Sequence, residues 1–359
     1  VCRNLIRFCC QQISLRELEG AERWAAFGGI VLQYCDLGRF EQNRIEENGL
    51  REGLPVCGIF IYYGEAINIA MNIIVRNGLP QGSNDRVMPG QRGGIVLRYL
   101  YKTSDPSKLY VQTFRPFNGV PAAKIHDNIV LQPLGHALYA MVQGPVSVVD
   151  NQFTSMGTDR TNPLSVIAST VLLMNLGMTP DMLVPMGILK LMEHPDPKFD
   201  EAVYQKNPAY LKLLNLPSGK IMFCSNQSTL DMRSPERNVS ISSQLILSLD
   251  DIAFNTNQSD CNGMFAFAHE QVVSDVTLLN TVLLGASVRS NDNRFTEGIT
   301  MGLYSLLSVG FLMATATGNQ ASHCLIVSAP RRIEKDNLVL NDDLCRGERR
   351  LFLNLVKHQ

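Results

Sequence analysis

The chain has 359 residues, a hydrophobic share of 45% and a net charge of −1: it can bury a core without staples, and its charge balance excludes a strong global pull on nucleic acid. Charged residues make up only 18%, against roughly 25% in a typical soluble domain. Neutral polar residues fill the gap, as in Gln11-Gln12, Asn255-Thr256-Asn257-Gln258 and Asn291-Asp292-Asn293, and because interface cores are depleted in Lys, Glu and Asp, this points to a subunit that hides surface against neighbours.

The start, Val1-Cys2-Arg3-Asn4, has no basic segment followed by an apolar run, so a secretory leader is not expected at this position, and the missing initiator Met marks a processed, tagged or incomplete chain. Ser14-Leu15-Arg16-Glu17 fits a capping box and predicts a helix that buries Leu18, Trp24, Phe27, Val31 and Leu32. The nearly continuous apolar run over 59–75 predicts a second, deeply buried helix. Residues 78–94 form the richest Gly/Pro stretch and read as a loop. Strands are expected over 95–101 and 108–114, joined by a turn at Ser104-Asp105-Pro106, and shorter ones over 129–132 and 146–149.

Asn162-Pro163 and Thr179-Pro180 are start signals, and Gly177 and Pro195 stop signals; they predict a helical hairpin over 161–193. Val239, Ile241, Leu245, Leu247 and Leu249 alternate with polar residues and predict a half-buried strand. Further strands are expected over 264–268 and 324–328, and helices over 272–288, 300–315 and 344–357. Residues 298–318 carry no charge and just reach the ~20 residues of a membrane span. Gly, Ser and Thr dilute them and no Lys/Arg anchors flank them, so they read as an internal helix. The fold expected is α+β, helix-rich and mixed with antiparallel β, without a regular βαβ repeat or an internal repeat. The division expected is 1–150, helical with a hairpin, and 151–359, a helical hairpin followed by a mixed part. Trp24, Phe27, Leu172, Leu283 and Leu307 are the expected core.

The nine cysteines (2, 9, 10, 35, 57, 224, 261, 324 and 345) contain no Cys-x-x-Cys and read as reduced, buried small hydrophobes. Of three sequons, Asn226-Gln227-Ser228, Asn238-Val239-Ser240 and Asn257-Gln258-Ser259, none is expected to function without export. None of the six histidines pairs at metal-ligand spacing, and the His269-Glu270 pair reads as a helix start. No nucleophile elbow or Ser-x-x-Lys signature occurs, and no cofactor or metal is expected. The best ligand or contact loop is 78–94, whose backbone amides and Arg86, Gly90, Arg92 and Gly93 suit a phosphate. A basic contact arm is expected at Arg331, Arg332, Arg346, Arg349 and Arg350, interleaved with acids. Together these features point to a structural or interaction protein. The expected role is a subunit of a large assembly, such as a viral capsid or nucleoprotein, that is cytoplasmic or in a virion, not secreted and not membrane-inserted. Its partners would be copies of itself and other subunits, with nucleic acid a weaker candidate. The alternative is a cytosolic enzyme holding a phosphate-bearing ligand at 78–94.

Overall fold

The structure, a computed structural model, describes residues 1–10, 26–50, 55–78, 91–101, 121–157, 168–177, 218–232, 240–263, 265–268, 271–274, 277–297 and 304–340. The apolar runs read above as helices are strands. The helix expected over 59–75 is replaced by Val56–Glu65, Ile67–Ala70 and Ile73–Val75; those over 272–288 and 300–315 by Gln271–Ser274, Thr277–Asn291 and Tyr304–Thr317. Phe27 and its neighbours lie in the strand Phe27–Asp36, and Ala168–Asn175 occupies the middle of the expected helical hairpin; the capping box, the strand over 108–114 and the terminal helix fall outside the described residues. The helix-rich α+β expectation is therefore corrected: the described region is nearly all parallel β-sheet without a helix. The physical cause is visible in Val56–Glu65. Ile59 and Ile61 enter the main core while Phe60, between them, is buried in a second cluster on the opposite side. A parallel strand covered on both faces loses its polar alternation, and periodicity then cannot separate it from a buried helix. Strands expected over 129–132, 146–149 and 324–328 are found as Ile129–Gln132, Val146–Val149 and Cys324–Ser328.

The chain winds as a β-solenoid. Each turn visits three parallel faces in the same order. The first face stacks Phe27–Asp36, Val56–Glu65, Gly93–Tyr101, His136–Gln143, Ala168–Asn175 and Ser240–Ser248 in sequence. The second stacks Arg39–Glu41, Ile67–Ala70, Ala123–His126, Val146–Val149, Ile221–Cys224 and Asp251–Asn255. The long strands Thr277–Asn291 and Tyr304–Thr317 serve both faces at once. The third face is a 10-stranded parallel sheet from Leu5–Arg7 to Leu338–Val339. Among the described strands only Phe265–Ala268 and Gln271–Ser274 pair antiparallel. The stacking passes residue 150 unbroken, Ile129–Gln132 pairing with Gln152–Ser155.

The corner between the second and third faces repeats in every coil. One residue in the left-handed region (Gln42, Met71, Asp127, Asp150, Ser225, Thr256 or Asp292, with φ between 54° and 57°, or Gly318 at 65°) is followed by a buried Asn: Asn43, Asn72, Asn128, Asn151, Asn226, Asn257, Asn293 and Asn319. These asparagines form a ladder. Asn151 shows the pattern: its Oδ1 accepts from the backbone N and the Nδ2 of Asn128 at 3.0 and 2.9 Å. Its Nδ2 donates to Asn226 Oδ1 and to the Ile125 carbonyl, both at 3.0 Å. The amide thus uses both donors and both lone pairs. The ladder extends to Asn4 at one end and Asn337 at the other. The left-handed residue costs about 1–2 kcal/mol wherever it is not glycine; the ladder and the inter-coil backbone bonds on either side of it, such as Asp127 N to Val149 O and Ile129 N to Asn72 O, offset that. A second ladder, Cys9 N to Asn48 to Asn77, occupies the corner between the third and first faces.

Inside the three faces the core is built in columns of like residues. Phe153, Phe223, Phe254 and Phe295 follow one another with ring centroids 5.4–6.5 Å apart, the last three stacked nearly parallel. Leu172 and Leu283 are buried as expected, Phe27 and Leu307 are half-buried, and Trp24 lies outside the described residues. No described helix is long and apolar enough to cross a membrane. Replacing Asn151 by Ala takes the side-chain acceptor from the Asn128 backbone N–H and the side-chain donor from the Ile125 carbonyl in a buried corner, while Asn226 Oδ1 keeps the Asn151 backbone N–H. Each unmet group costs about 1–3 kcal/mol, so Asn151→Ala is expected to lower stability by about 2 kcal/mol or more in denaturant titration, far more than Gln152→Ala at the exposed neighbour. Equal effects at the two positions would mean that the ladder is not what holds the corner.

Candidate functional site

The long strands that serve two faces carry a kink. Gly285 pairs with Gly310, but the next pair is Ser287 with Met313, so Tyr304–Thr317 holds one extra residue. A Cβ on Gly310 would lie 2.0 Å from the Met313 carbonyl oxygen, which is why glycine stands there. Such a bulge re-aims the side chains next to it: Phe311 is pushed into solvent and Leu312 with Met313 forms one wall of a surface cleft of about 650 Å³. Asp251, Ser287, Met313 and Arg331 are cross-strand neighbours on four successive strands. Arg289 follows two residues after Ser287 on the same outer side, and Pro330 completes the apolar wall. Arg289 and Arg331 are exposed, and among the described residues neither has an ion-pair or hydrogen-bond partner. The cleft therefore presents two unpaired guanidinium groups against one carboxylate.

A second constellation is buried between the third and first faces of the last coils. Glu297 accepts from Asn280 Nδ2 at 2.8 Å and Ser305 Oγ at 2.9 Å, and His323 Nδ1 lies 3.3 Å from it. The residue types resemble a nucleophile, base and acid set, but the hydrogen bonds are wrong for it. The Ser305 hydroxyl gives its proton to Glu297, and its oxygen accepts from the His323 backbone N at 3.0 Å. A nucleophilic Ser needs the imidazole as its acceptor. The network satisfies the polar interior of these coils.

Of the residues singled out from sequence, Arg86, Gly90, Arg346, Arg349 and Arg350 fall outside the described residues. Arg92 is buried, and Gly93 opens a strand beside His136, where a Cβ would meet the His136 carbonyl at 2.7 Å. Arg332 is tied to Glu334 at 3.1 Å and donates to the Val327 carbonyl. Arg331 alone of the expected arm lines the cleft. Sequence reasoning missed Arg289 and Asp251, which lie in different segments and meet only through strand stacking. It also took Asn226 and Asn257 as sequon residues; both are buried ladder rungs with their Nδ2 groups engaged. No metal-holding group of His, Cys, Asp and Glu occurs among the described residues. No protein-family model, curated protein or solved structure matches the chain.

Two buried titratable groups yield measurements. His136 is fully buried with Nε2 unpartnered, and desolvation pushes its pKa down to about 4 despite a hydrogen bond to the Ala168 backbone. The unfolded chain takes up this proton near pH 6.5 and the folded chain only near 4. Stability is therefore intact above about 6.5 and falls as pH drops toward 4, by on the order of 3 kcal/mol. The pH dependence over that window should flatten by this amount in His136→Asn, read by denaturant midpoints, whereas an unchanged slope would put His136 in contact with water. Among the cysteines, Cys324 is disulfide-bonded, which corrects the expectation of nine reduced thiols; seven others, Cys2, Cys9, Cys10, Cys35, Cys57, Cys224 and Cys261, are not in disulfides. Burial drives the Cys57 thiol pKa strongly upward, so that thiol is inert until the chain unfolds. Denaturing titration is expected to count seven thiols before reduction and nine after; nine before reduction would remove the disulfide.

Proposed function

We propose that this chain is a structural or interaction protein, a rigid β-solenoid that associates with copies of itself as a subunit of a larger assembly. The observation that carries the proposal is a column of tyrosines on the first face. Tyr34, Tyr63 and Tyr99 stand in register on three successive coils. Tyr63 and Tyr99 stack at 5.4 Å, with Tyr62 edge-on to both. Tyr34 is 61% exposed and Tyr63 41%, Tyr99 is half-buried, and Tyr101, two residues beyond it, is exposed. Aromatic residues exposed together are costly in water and are enriched at interfaces. A near-zero net charge leaves little repulsion between copies, which favours a second copy as the occupant. The neutral polar composition that suggested a viral shell or nucleoprotein is accounted for by the buried ladders, so the proposal is limited to assembly. Seven cysteines outside disulfides suit a reducing interior and the Cys324 disulfide does not; the thiol titration decides between these settings.

Sedimentation velocity at micromolar concentration is expected to show concentration-dependent association, lost in the double variant Tyr34→Ser/Tyr63→Ser. A monomer at every concentration would defeat the assembly reading. Association that survives the double substitution would keep assembly but move the interface elsewhere.

A further inference from the structure

We propose that the cleft beside the Gly310 bulge is a binding site for a small hydroxylated organic acid, with Arg289 and Arg331 holding the carboxylate and Asp251 and Ser287 taking the hydroxyl groups. The inference stands apart from self-assembly, because the tyrosine column lies on the first coils and the cleft on the last.

Four features carry it. The charges in the cleft are two cations to one anion, and neither guanidinium is used by the protein itself. Several other arginines on the described surface are taken up by adjacent carboxylates, Arg39 by Glu41, Arg44 by Glu46, Arg76 by Glu47 and Arg332 by Glu334; Arg294 is exposed and unpaired among the described residues as well, but only in the cleft do two such groups line one cavity. A planar guanidinium left open offers a fork that fits a carboxylate. The groups are spread along the cleft. Asp251 sits three strands from Arg331 along one cross-strand row, about 14 Å at the usual strand spacing, and Arg289 stands between them on the strand paired with that of Asp251, so an anion drawn to the Arg331 end need not meet the Asp251 carboxylate head-on. Asp251 and Ser287 then face the part of the ligand that carries O–H donors. Finally, Leu312, Met313 and Pro330 line the cleft with apolar surface against which a ring or chain can pack; a bare inorganic ion would gain nothing from it. The bulge that aims Met313 and Leu312 here depends on glycine at 310, so the cleft is a property of the backbone and exists before any ligand arrives.

The test is calorimetric titration of the full chain at low ionic strength with three probes: D-glucuronate, a carboxylate on a ring of hydroxyls; D-glucose, which lacks the carboxylate; and inorganic phosphate, which lacks ring and hydroxyl pattern. Glucuronate is expected to bind in the millimolar range or tighter, and glucose about tenfold or more weaker, the worth of one charge-assisted contact. Arg289→Gln/Arg331→Gln should weaken glucuronate by about tenfold or more with an unchanged thermal midpoint, since both side chains are exposed. Asp251→Asn should weaken glucuronate but leave phosphate no weaker, because removing the negative charge cannot harm an anion that makes no hydroxyl contact. No heat from glucuronate in the millimolar range, or glucuronate binding indifferent to the double arginine variant, overturns the site. Phosphate binding as tightly as glucuronate overturns the hydroxylated-acid assignment.

Discussion

The hydrogen bond from one asparagine amide to the next, at the corner between the second and third faces, is the constraint on which the rest of the molecule depends. A parallel sheet pairs only if each strand returns at the same height, one strand spacing along. At this corner the chain must reverse direction sharply inside a space that water does not reach. A buried amide without partners is costly there, but a column of identical amides meets every donor and acceptor of its members, as Asn151 does with four bonds. The ladder therefore fixes where every coil turns. It also accounts for a chain short of charge yet full of asparagine. Those residues are spent inside, and a solenoid interior tolerates them only in register.

Once the corner is set, inward positions of successive coils fall on top of one another, and like residues stack: isoleucines in the early coils, phenylalanines from Phe153 to Phe295. The surface features arise where that regularity reaches the outside and where it is broken. On the first face, Tyr62-Tyr63 and Arg98-Tyr99 precede residues that turn inward again, Gly64 beside the core and Leu100 within it, and the tyrosines are left aligned outside. Near the other end, one extra residue after Gly310 opens the cleft between Asp251 and Arg331. The tyrosine column is the stacking of like residues carried to the outer surface over three coils, and the cleft sits where a one-residue register shift interrupts it.

Short strands with polar flanks were legible from sequence: Ile129–Gln132, Val146–Val149 and Cys324–Ser328 fall where alternation and turn residues place them. The long apolar runs were not. Val56–Glu65, Thr277–Asn291 and Tyr304–Thr317 are covered on both sides or serve two faces, so they carry no period of two, and length then argues for helix. The repeat was hidden for a different reason. Successive ladder asparagines are separated by 39, 29, 56, 23, 75, 31, 36, 26 and 18 residues, and a fixed-period search cannot register such spacing. What does recur is local: a turn residue and then Asn, as in Asp127-Asn128, Asp150-Asn151 and Asp292-Asn293. In the sequence alone that signal is indistinguishable from neutral polar residues standing in for charge.

The sequence by itself determined a well-buried apolar core, a near-neutral charge, the lack of a recognised catalytic or metal motif, and a basic tendency around Arg331. Only the tertiary structure decided that the asparagines are interior, that the apolar runs are parallel strands, and that Arg331 shares a cleft with Arg289 and Asp251. The reason is that all three depend on which residues lie one coil apart. In a solenoid that neighbour relation is set by inter-coil hydrogen bonding, and it joins residues separated by anything from 18 to 75 positions, a distance over which local pattern carries no information.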